Sequence, residues 1–151
     1  PLCSLNSDYV KTLEFVASLG VRFVTVSGLI CTGSALKEHD VYDLSSDELY
    51  EIVKAAKEFC DANGIEIDFT SPGLIAKEKL EQLYMNTPSC GAALSNMAIA
   101  PDGTVIPCQS WLDASSGLGN FSDIWKHELC LKLRGMSDEE AIECPFRKVR
   151  G

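Results

Sequence analysis

Between Ser45 and Thr70 the sequence passes from a helical period to a strand period with only Asn63-Gly64 separating the two, and that junction restricts the chain to few folds. Ser45-Ser46-Asp47-Glu48 reads as a capping box, in which a hydroxyl takes a first-turn N–H and a glutamate reaches back to the cap. Leu49, Ile52, Val53, Ala56, Phe59 and Cys60 then recur at helical spacing, and Asn63-Gly64 closes the helix. Ile65 to Thr70 alternates strictly, with Ile65, Ile67 and Phe69 on one face and Glu66, Asp68 and Thr70 on the other. Upstream, Ser7 to Gly20 has the pattern of an amphipathic helix and Arg22 to Ser27 that of a strand. Ala76 to Met85 is a third, shorter helix. This alternation implies parallel strands joined by crossovers. Two strands make no stable sheet, so the expected fold class is α/β, with residues 1–85 forming the last strands and helices of a partial (β/α) barrel. Thr25, Ser27, Glu66, Asp68 and Thr70 would line its polar inner face, the alternative being the solvated face of an antiparallel sheet.

The pattern changes after Met85. Asn86-Thr87-Pro88-Ser89 is a cluster of turn formers, and residues 86–151 read as a second, smaller domain. Leu94 to Ala100 and Thr104 to Pro107 flank Pro101-Asp102-Gly103, which predicts a β-hairpin whose Asp-Gly tip supplies positive φ. The hairpin brings its two ends together, and Cys90 and Cys108 stand at those ends. A helix is expected from Ser122 to Leu133, followed by a polar turn and Cys144-Pro145.

The chain carries a net charge of -9, with no local Lys/Arg cluster, which excludes nucleic acid and anionic membrane as main partners. Its longest apolar runs, such as Val24 to Cys31, fall far short of the roughly 20 residues of a membrane span. Seven cysteines cannot all close into intramolecular disulfides, and no secretion signal opens the sequence, so reduced thiols or metal ligands and a cytoplasmic location are expected. Cys3, Cys31, Cys60 and Cys130 sit among apolar neighbours and read as packed side chains. Cys90, Cys108 and Cys144 lie in turn-rich sequence and are the candidate metal ligands. His39 and His127 stand among charged residues and read as solvated. Ser115-Ser116-Gly117-Leu118-Gly119 follows no hydrophobic strand, so it is not read as a phosphate loop.

The run from Cys90 through Pro101-Asp102-Gly103 and Pro107-Cys108, then Leu118-Gly119-Asn120-Phe121, Ile124-Trp125 and Cys144, resembles the SPASM domain of radical SAM maturases. Residues 1 to about 85 are similar to the end of the radical SAM barrel. The resemblance implies a SPASM-like hairpin-plus-helix domain holding an auxiliary 4Fe–4S iron–sulfur cluster, in the carboxy-terminal portion of an oxidoreductase or peptide-modifying maturase. It further implies S-adenosylmethionine as cofactor of the complete enzyme, a peptide or small-molecule substrate, and a reductant such as ferredoxin or flavodoxin. On this reading Leu29 and Ile30 would contact the adenine and Asp68 would face substrate. The family's CxxxCxxC is absent, and the sequence stops at Arg150-Gly151 where the resemblance implies further ligand cysteines, so the chain looks cut at both ends and is not expected to cleave S-adenosylmethionine alone. Two other functions remain open: a noncatalytic peptide- or partner-binding module, and a zinc-stapled interaction domain.

Overall fold

A computed structural model describes residues 2–3, 8–30, 32, 35, 37, 42–110, 118–119 and 124–134. The protein is mixed α/β and divides into two compact units, with the boundary between Pro88 and Ser89.

In the first unit, helix α1 (Tyr9–Ser18) leads to strand β1 (Phe23–Val26), helix α2 (Ser46–Ala62) to strand β2 (Glu66–Phe69), and a short helix α3 (Lys77–Gln82) follows. β1 and β2 pair in parallel, with Val24 opposite Ile67, Thr25 opposite Asp68 and Val26 opposite Phe69. The ladder is extended at both ends by the Glu66 N–H to the Arg22 carbonyl and the Thr70 N–H to the Val26 carbonyl, both at 2.9 Å. Leu2, which the sequence pattern did not mark as strand, makes a parallel bridge to Gly28 and donates its N–H to the Ser27 carbonyl. The parallel order is thus the Leu2 segment, β1, β2, in chain order. A two-residue segment is too short to show a period, which is why it escaped the pattern.

Alternation assigns the faces. Val26, Ile67 and Phe69 are buried with Leu13 of α1, with Leu49, Val53, Ala56 and Cys60 of α2, and with Leu80 of α3. Each fully buried aliphatic side chain of this set contributes about 1.5–3 kcal/mol relative to exposure. Phe23, Thr25 and Glu66 on the opposite face are exposed and Asp68 is half-buried.

The helix ends explain where each element stops. The Ser45 capping box forms as its sequence implies: Ser45 Oγ accepts the Glu48 N–H at 3.2 Å, and Glu48 Oε2 accepts the Ser45 N–H at 2.9 Å. At the other end of α2, Gly64 adopts φ +65, its N–H bonds to the Asp61 carbonyl at 3.3 Å, and the Ile65 N–H bonds to the Cys60 carbonyl at 2.9 Å. This is a Schellman motif. α3 ends the same way, with the Tyr84 N–H on the Glu81 carbonyl and the Met85 N–H on the Leu80 carbonyl, both at 3.0 Å. Tyr84 holds the left-handed position there, at φ 55.

The second unit, Ser89–Phe146, is built on a hairpin of β3 (Ala98–Ile99) and β4 (Val105–Ile106). The pairs are Ala98 with Ile106 and Ile99 with Val105, antiparallel. Only part of the expected Leu94–Ala100 strand is extended. The Gly91 carbonyl accepts N–H groups from Leu94, Ser95 and Asn96, which turns residues 91–96 into a tight loop. At the tip, Gly103 donates to the Ala100 carbonyl at 2.9 Å and takes φ +88, while Asp102 keeps negative φ. The turn is therefore the three-residue kind that ends in a left-handed glycine, rather than one needing positive φ at both Asp102 and Gly103. Asp102 Oδ1 instead accepts the Thr104 N–H at 2.9 Å, and that bond holds its carboxyl below the usual carboxylate range.

Within the expected Ser122–Leu133 helix, a 3-10 turn (Ile124–Lys126) is separated from α4 (Glu128–Leu133) by His127. His127 is not a helix-interior residue but the N-cap of α4: its Nδ1 accepts the Leu129 N–H at 3.2 Å. Cys130 of α4, fully buried, packs with Ala93, Val105, Leu118 and Ile124. Leu118 is drawn onto the hairpin by its N–H bond to the Val105 carbonyl at 2.8 Å.

Candidate metal centre

Cys90 and Cys108 are both half-buried free thiols. The Ala93 N–H bonds to the Pro107 carbonyl at 3.2 Å, so the chain just after Cys90 meets the chain just before Cys108 at the open end of the hairpin. Pro107 itself is fully buried, which anchors the return strand one residue before the Cys108 thiol. At Cys90 the backbone is shaped around the sulfur. The Ala92 N–H donates to Cys90 Sγ at 3.4 Å, a contact that lends partial positive charge to a thiolate and tunes a metal bound to it.

Sequence reasoning passed over the residues that build this corner. Gly91 sits close against its neighbours: a Cβ there would lie 2.5 Å from Ser95 Oγ and 2.6 Å from Asn96 Nδ2, so those two exposed side chains would have to move aside. Ala93 is fully buried and left-handed at φ 57, an uncommon state for a residue with a Cβ. The signal for both was local, a Cys-Gly pair ahead of two small residues, but small residues carry no hydrophobic period.

The other candidates are distributed as follows. Cys144, and with it Cys31 and His39, lies outside the described residues. Cys130 is fully buried in the apolar cluster of its unit. Cys60 is likewise buried, and burial first, then the charge of Asp61, pushes its thiol above the usual value. Cys3 is half-buried beside the Leu2 bridge. Among the described residues no set of three or more His, Cys, Asp or Glu side chains is gathered for a metal ion. Cys90 and Cys108 are thus two soft donors, of the type iron–sulfur clusters use, and the described residues gather no third with them.

In the first unit Leu29 lines a shallow recess with Leu2, Gly28, Asp43, Leu44 and Leu49, at the carboxyl ends of the parallel strands. Ile30 is half-buried and does not line it. Beside it Ser71, a buried hydroxyl, accepts the Gly28 N–H at 3.0 Å and ties the end of β1 to the loop after β2. Asp68 lies on the uncovered sheet face, in register with Thr25.

No protein-family model, curated protein or solved structure matches the chain. No helix among the described residues is long and apolar enough to cross a membrane.

Proposed function

We propose that this chain is the carboxy-terminal portion of a radical SAM/SPASM oxidoreductase or peptide-modifying maturase, in which Cys90 and Cys108 are ligands of an auxiliary iron–sulfur cluster. The observation that carries the proposal is the Ala92 N–H aimed at Cys90 Sγ, across the hairpin end from Cys108, the two ends being joined by the Ala93 N–H bond to the Pro107 carbonyl. A second feature favours a metal. The described buried residues of the second unit are few, Ala92, Ala93, Val105, Ile106, Pro107, Leu118, Ile124 and Cys130, and its described cysteines are free, while units this small usually need a disulfide or a metal to be stable.

A bound cluster would supply one-electron transfer. The protein's own residues set its surroundings: Cys90 and Cys108 offer soft donors, the Ala92 N–H disperses charge on one sulfur, and buried Pro107 fixes the backbone beside the other. Cys144 is the further ligand that the resemblance supplies. The first unit fits the end of a (β/α) barrel. Its strands lie in chain order, the helices pack against one sheet face, and the polar face with Thr25, Glu66 and Asp68 is left for a lumen. Leu29, and Ile30 next to it, would serve the adenine of S-adenosylmethionine, and Asp68 the substrate. The chain contains no CxxxCxxC, so its role is that of auxiliary domain and barrel end.

Anaerobic reconstitution with iron and sulfide, followed by metal analysis and visible absorption, tests the proposal. Bound iron and sulfide, lost in Cys90→Ala and in Cys108→Ala, is the expected result. Stoichiometric zinc in place of iron would make the second unit a zinc-stapled interaction domain. Absence of both metals would make it a noncatalytic binding module.

A further inference from the structure

We draw no further inference here: the strongest candidate, the uncovered face of the β1–β2 sheet with Phe23, Thr25, Glu66 and Asp68, carries nothing because no feature of the structure shows what covers it.

Discussion

Cys90 Sγ accepts the backbone N–H of Ala92 at 3.4 Å. A donor two residues beyond a cysteine stabilises the charged sulfur that a metal requires, so removing it should weaken metal binding with the thiol left intact. Ala92→Pro deletes this N–H. Iron affinity is expected to fall 10–100-fold, the range seen for groups that support metal ligands. Iron titration read by visible absorption checks this, with circular dichroism of the metal-free variant as the control for folding. Unchanged affinity in a folded variant would remove the Ala92 N–H from the site.

Gly103 allows the hairpin to close without touching either thiol. A Cβ at this glycine meets no atom within 4 Å, so the cost of Gly103→Ala is the backbone's alone, at φ +88. That cost is about 1–2 kcal/mol. A lower denaturation midpoint of the second unit is expected, accompanied by weaker iron retention if the closed hairpin holds Cys90 and Cys108 together. Thermal melts with and without iron measure both effects.

Tyr84 occupies at the end of α3 the place that Gly64 occupies at the end of α2, at φ 55 against φ 65. Its side chain is 95% exposed, so replacing it loses no packing. Tyr84→Gly should therefore stabilise the first unit by about 0.5–1 kcal/mol, the relief of left-handed strain less the entropy gained by the unfolded glycine. Tyr84→Ala, which keeps a Cβ, should change little. Urea denaturation midpoints of the two variants distinguish strain from any role of the aromatic ring.

Gly28 is required by its neighbours rather than by its own backbone. A Cβ there would come within 2.5 Å of Leu74 Cδ1 and 3.1 Å of Leu49 Cδ2. Gly28→Ala should destabilise by about 1–3 kcal/mol, the usual cost of overpacking. Because the closest atom belongs to Leu74, Leu74→Val should recover part of the loss in the double variant. A double-mutant cycle in urea measures the coupling, and strict additivity would contradict the contact.

Ser45 and Glu48 couple the start of α2 to pH. Hydrogen bonds from the Ser45 hydroxyl and then from its backbone N–H hold the Glu48 carboxyl below its usual value. A carboxyl lowered in the folded state contributes stability that is fully present above the unfolded value of about 4.3 and lost as pH falls through the folded one. Ser45→Ala should cost about 1 kcal/mol near neutrality through the lost cap. The gap between wild type and variant should narrow below about pH 4 without closing, because Ser45 Oγ still caps the Glu48 N–H. Denaturation curves from pH 3 to 7 follow it.

The amino-acid sequence by itself determined the elements whose causes are local. The Ser45-to-Gly64 helix needed only a capping box, an apolar period and a glycine, and β2 needed only alternation. The position of the Pro101-Asp102-Gly103 turn was legible for the same reason, since glycine there relieves a steric conflict within the turn itself. Other features were decided by partners distant in the chain. Leu2 becomes a third parallel segment because the carbonyl of Ser27 lies where it accepts the Leu2 N–H. His127 breaks a helix that periodicity would continue, its ring taking the Leu129 N–H in place of a backbone carbonyl. At the proposed metal centre the sequence supplied the two cysteines and their order. Only the tertiary structure supplied the Ala93–Pro107 bond that joins their ends of the hairpin and the N–H directed at Cys90, because hydrogen bonds across a fold leave no period in the residues that make them.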